Sequence, residues 1–309
     1  MRKPTGSLDP VASVVHKLAV LLAAGVAPAS SWRYLAQQPA GGATAMLERV
    51  ANDAATGAPV DASIVAALDT VAPADAGAWR GLAAAWRVAT DAGAPLAPTL
   101  RDFAVSLRAL AQIERDLETA LAAPVATARM VMALPAVGLL FGIVLGFDVL
   151  GTLFTTIPGA VCLGLGCMLM LAARLWNRRM VDAARPTRLT PGLTLDLMAI
   201  AVSGGAAIPR AVDAVERART ACGLPPDGSE AAVAEVLDLS RAAGVPAAAL
   251  LRSQADEERR IARSDGDRRA ATLAVSLMLP LGLCVLPAFM VVGVAPLLIS
   301  VISSTVADF

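Results

Sequence analysis

Aromatic side chains are scarce in this chain, at 4% of its 309 residues, and charged ones reach only 17%. A surface that binds nucleic acid needs stacking rings or an excess of positive charge. Here 26 basic residues stand against 26 acidic ones, so no nucleic-acid partner is expected. Histidine occurs once, at His16. One imidazole builds neither a His-based metal cage nor a catalytic relay, and no cofactor or metal is expected. The four cysteines, Cys162, Cys167, Cys222 and Cys284, lack the spacing of a metal knuckle or a redox pair. They read as small apolar fillers. The phosphate-cradling pattern Gly-x-x-x-x-Gly-Lys-Ser/Thr is missing, as is any nucleophile–base constellation. The chain is therefore expected to be no enzyme.

What is present in quantity is apolar. The hydrophobic fraction is 56% and the mean hydropathy +0.63, beyond the usual range of a soluble domain. Three stretches carry no charge at all: Met130 to Phe147, Val149 to Ala173, and Ala270 to Ala307. A helix needs about 20 apolar residues to cross the hydrocarbon layer. The first two stretches suit one crossing each, with a hairpin at Asp148. The third, interrupted by Pro280, Pro287 and Pro296, suits one kinked crossing better than a re-entrant pair. Arg129, Arg174, Arg178, Arg179, Arg185, Arg188, Arg268 and Arg269 flank these stretches. Basic flanks stay in the cytosol, which predicts about three transmembrane helices, a multi-pass arrangement and a cytosolic N-terminus.

The polar remainder repeats itself. His16 to Ala24 is an apolar helix pattern closed by Gly25 and reopened at Pro28. Leu195 to Gly204 does the same with Gly205 and Pro209. A second pair of breaks follows, at Gly93–Pro95 and at Gly244–Pro246, and each leads into a charge-rich helix and then an apolar run. Glycine closes helices and proline suits their first turn. Alternating β patterns are absent and Ala, Leu and Arg dominate. The predicted fold is all-α: a cytosolic helical bundle over 1–128, a transmembrane hairpin over 129–176, a second cytosolic bundle over 177–269 and a C-terminal transmembrane segment over 270–309.

The Ala-Gly-x-Pro hinges in this order resemble those of type II secretion system F domains. The run from Leu279 to Phe289, with prolines at 280 and 287, is similar to the last membrane segment of the tight-adherence pilus members of that family. The chain is shorter than full-length secretion platforms and carries two compact units where many tight-adherence members carry one. The resemblance implies an inner-membrane platform or scaffold protein of a secretion or pilus machine. It implies contact with a cytosolic hexameric ATPase, with pilin subunits, and with a sister platform subunit or a second copy of itself, all within the lipid bilayer. A small transporter or channel subunit is the alternative, for which the proline-broken third segment is the only support.

Two sets of residues stand out as candidates. Asp256, Glu257, Glu258, Arg259 and Arg260 form a dense charged cluster on a predicted helix. A partner-binding surface and a solvated set of pairs three and four residues apart both fit it. Gly142 and Gly146 form a Gly-x-x-x-Gly in the first apolar run, the spacing that lets two membrane helices approach closely.

Overall fold

The computed structural model describes residues 8–38, 41–144, 156–184, 191–276 and 281–296, with 151, 279 and 298. Among these there is helix and turn but no strand. The chain divides into two compact units. The first comprises Met1–Arg115 and Thr187–Ser264, the second Asp116–Pro186 and Asp265–Phe309.

The first unit opens with α1 (Leu8–Ala23) and α2 (Pro28–Ala36). Gly25 turns between them with φ +83°. Its N–H reaches the Leu22 carbonyl and the Val26 N–H reaches that of Leu21, both at 3.0 Å. This paired closure satisfies carbonyls that the ending helix orphans, and it requires a left-handed residue. Gly93 repeats it after α5 (Ala76–Ala92), with the Ala94 N–H 2.8 Å from the Ala89 carbonyl. Between the two lie α3 (Thr44–Ala55) and α4 (Val60–Ala66). The long α6 (Leu96–Val144) follows directly after Pro95.

The later part of this unit is α8 (Leu193–Ser203), α9 (Ile208–Cys222), α10 (Glu230–Ala243) and the first part of α11 (Ala247–Ser276). The helix α7 (Ile157–Ala184) precedes them in the chain and lies in the second unit. Gly205 and Gly244 carry φ of +82° and +66° at the two turns matching Gly25 and Gly93.

The sequence predicts two separate cytosolic bundles, over 1–128 and 177–269. The structure places Met1–Arg115 and Thr187–Ser264 in one compact unit with one core, and the rest of both stretches in the other unit. The reason is α5. Trp79, Leu82, Ala83, Ala84, Ala85, Trp86, Val88 and Ala89 are all buried, which is more than one helix face. One side of α5 meets α1 and α4, and another meets α8 and α9. A helix apolar most of the way round belongs at a centre, and its alanines let neighbours come close. Trp86 stacks at a tilt on Trp32 of α2, with 5.9 Å between ring centroids. Each fully buried side chain of this size is worth about 1.5–3 kcal/mol. Arg80 of α5 donates to the Gly223 carbonyl at 3.2 Å, tying the two sequence copies at their edge.

The second unit is built differently. Among the described residues its buried cluster holds Ala173, Cys284 and Val285, with Met170 against them. Glycines provide the close approaches. A Cβ on Gly138 would stand 2.8 Å from the Phe289 ring, and one on Gly166 would collide with Val292. Around Pro287 the C-terminal segment stays helical through a π turn at Leu281–Val285, a short α12 (Leu286–Phe289) and a second π turn at Met290–Val294. Wider turns of this kind are the usual accommodation when a proline removes an N–H from the ladder. Phe141, Val144, Ile157, Met168, Leu171, Leu283 and Met290 all stand exposed.

Three crossings are predicted from sequence. Among the described residues one helix, Ile157–Met180 within α7, is long and apolar enough to span a membrane. The helix Gly282–Val294 is apolar but short. The Asp148 hairpin and Gly146 lie outside the described residues.

Candidate functional site

The charged cluster on α11 divides into two parts. Arg259 faces inward and is buried. Its Nη1 donates to Asp196 of α8 at 2.9 Å and its Nη2 to Asp256 at 2.7 Å. Ser106 of α6 donates its hydroxyl to the same Asp196 oxygen at 3.0 Å. Arg260 instead faces solvent and pairs with Glu257, Nε to Oε2 at 2.9 Å. Glu258 is half-buried and has no ion pair among the described residues. The cluster thus contributes Asp256 and Arg259 to an internal network, while Glu257, Glu258 and Arg260 remain available to a partner.

That network has a clear electrostatic logic. Burial pushes the Asp196 carboxyl above its ordinary 3.8, and the Arg259 guanidinium and Ser106 hydroxyl pull it back only in part. Burial by itself would lower Arg259, but the Asp196 charge and the bonds to Asp256 and Asp196 leave it raised. A buried charge survives only when paired and hydrogen-bonded, and both conditions hold here. The network also joins α6, α8 and α11 at one point. Further toward the start of α11, Arg252 meets Asp102 of α6 at 3.0 Å. Neither Asp196 nor Ser106 was singled out from sequence. The signal was present: Asp196 is the one charge in an otherwise apolar helix from Leu193 to Val202.

A second polar centre holds the lower edge of the second copy. Asp227 accepts from the Thr194 hydroxyl at 2.7 Å, the Thr194 N–H at 3.3 Å and the Ser229 N–H at 3.1 Å. Partial burial works to raise its pKa, but these bonds win and hold it below 3.8. Arg219, also buried, donates to the Pro225 carbonyl at 3.0 Å and lies 3.4 Å from Glu216. Beside it α8, α9 and α10 leave a groove of about 330 Å³ lined by Met198, Val212, Val215, Val233 and Leu237, with Glu230 and Arg241 at its rim.

Gly25, Pro28, Gly93, Pro95, Gly205, Pro209, Gly244 and Pro246 all sit at helix-to-helix turns of the first unit. Gly142 lies in α6, and its proposed companion Gly146 is not among the described residues. In the second unit, the close approaches among the described residues fall at Gly138 and Gly166. Cys222 is buried, and burial followed by the Asp61 charge pushes its thiol up to about 11 despite nearby Arg87.

Helical hairpins in two copies, joined in sequence to a unit with one helix long and apolar enough to span a membrane among the described residues, define an all-helical protein. Residues 14–144 match the family model of the type II secretion system (T2SS), protein F. The match covers α1 from Val14 onward, α2 to α5 and all of α6. No curated protein and no solved structure matches the chain.

Proposed function

We propose that the chain is an inner-membrane platform of a type II secretion or tight-adherence pilus machine. In this reading it performs no chemistry of its own. It crosses the membrane three times with its N-terminus in the cytosol, and it couples a cytosolic hexameric ATPase to the extraction or assembly of pilin subunits. The observation that carries the reading is the family match over 14–144. The exposed apolar helices of the second unit support it from the physical side, because such a surface is stable only against lipid or protein. The first unit offers the ATPase the Glu257–Arg260 pair and Glu258, and a sister subunit or second copy is the other occupant to test. A transporter calls for charged or polar groups at mid-membrane, and the uncharged stretches 149–173 and 270–307 provide no charge there.

The test is co-purification of the full chain, in detergent, with the secretion ATPase encoded by the same system. Capture is expected for the wild type and at least a tenfold loss for Glu257→Lys combined with Arg260→Glu. Capture unchanged by that reversal would move the contact elsewhere. No capture in any detergent, together with substrate-dependent flux in proteoliposomes, would overturn the platform reading in favour of transport.

A further inference from the structure

The end of α7 is built as a boundary between two solvents. From Ile157 to Ala173 it carries no charge, which at 1.5 Å per residue is about 25 Å of apolar helix, close to the hydrocarbon thickness of a bilayer. Then come Arg174, Trp176, Arg178 and Arg179, all exposed. None of these arginines forms an ion pair among the described residues, whereas Arg268 of the same unit lies 3.9 Å from Asp265. Exposed tryptophan at such a level is characteristic of the lipid headgroup zone.

Val161, Leu165, Met168, Leu171 and Leu175 are also exposed. Their spacing of three and four residues places them in one stripe along the helix, and the next steps of that stripe are Arg178 and Arg179. An apolar track that ends in two unpaired guanidinium groups has the two-part chemistry of a phospholipid, with an acyl chain along the track and a phosphate at its end. Guanidinium is the side chain best matched to phosphate oxygens. Beside the track the Asn177 amide is buried, with neither its nitrogen nor its oxygen hydrogen-bonded. It is a polar group one residue from Arg178, on the flank of the same turn.

We propose that Arg174, Arg178 and Arg179 form a headgroup site for an anionic phospholipid at the end of α7, with Val161 to Leu175 as its acyl-chain track. The site rests on the membrane reading above and adds to it a preference for lipid charge. Zwitterionic lipid fills the track equally well, so discrimination comes from the arginines. Near a membrane surface each basic residue strengthens anionic-lipid binding several-fold.

The experiment is native mass spectrometry of the full chain released from detergent, with phosphatidylglycerol and phosphatidylcholine of the same acyl chains as probes. The wild type is expected to retain phosphatidylglycerol in clear excess. Arg178→Gln combined with Arg179→Gln is expected to reduce that excess roughly tenfold, Arg178→Lys with Arg179→Lys to preserve most of it, and Arg101→Gln with Arg108→Gln, in the first unit, to leave it unchanged. Equal retention of the two lipids by the wild type, or displacement by millimolar inorganic phosphate, overturns the proposal while leaving the membrane reading intact. A chain that purifies as a monomer without detergent defeats the membrane reading itself.

Discussion

The two units of this molecule pack in different ways, and the proposed membrane reading gives them different solvents. The first buries tryptophan, leucine and methionine in one shared core and satisfies its internal charges through Asp196, Arg259 and Asp227. The second, among the described residues, brings helices together at Gly138 and Gly166 beside Ala173, Cys284 and Val285, and exposes apolar side chains such as Phe141, Met168, Leu171 and Leu283. Water drives large residues inward; lipid gives them no such preference, so contact in lipid depends on closeness instead. The difference lies in what brings helices together: large buried side chains in the first unit, and glycines that let a neighbour approach in the second.

The sharpest way to break this contrast is to leave a charge alone in the first unit. Arg259→Met strands the Asp196 carboxylate and is expected to cost about 3–5 kcal/mol, read as lost thermal stability of the full chain in detergent. Asp196→Asn combined with Arg259→Met is expected to recover part of it, because the charge left without Arg259 is then only the exposed Asp256. Next in size is Gly204→Ala. Its Cβ would strike the Ala92 backbone carbonyl, which cannot rotate away, so overpacking of about 1–3 kcal/mol is expected in the same assay.

Acid titration tests the second polar centre. The Asp227 pKa is lowered from 3.8, so its stabilising contribution is present above that pH and is lost as pH falls through the folded value. Asp227→Asn is expected to flatten the acid limb of the stability profile. In the second unit, Gly138→Ala meets only the edge of the Phe289 ring, which can turn aside. Alanine also favours helix over glycine by up to about 1 kcal/mol, so a net change below about 1 kcal/mol is expected there. Cys222 closes the series without any change in stability. With its thiol pushed up to about 11, it is expected to resist maleimide at pH 7 in the folded chain and to react once the chain is denatured.

Much of this architecture was legible in the residues. The helix-closing glycines at 25, 93, 205 and 244 stand out because backbone geometry leaves a local mark. The union of the two copies does not, because a pattern of apolar positions shows that α5 must be covered without showing by what. Arg259 illustrates the same limit. Its neighbours in sequence, Asp256 and Arg260, mark a charged helix, but the partner that draws it inward is Asp196, 63 positions away. The number of crossings rests on charge-free length alone, and only α7 turns that length into one long apolar helix among the described residues.

The four turn glycines also bear on how a mutational survey of this protein is to be interpreted. At each of them a methyl group would find open space, yet φ lies between +66° and +83°, where side chains are strained. Such positions behave as isolated intolerant points on a permissive exterior. Loss of function at residues 25, 93, 205 or 244 would therefore report a chain unable to bend, and a hunt for docking partners guided by those losses would be led to the wrong places.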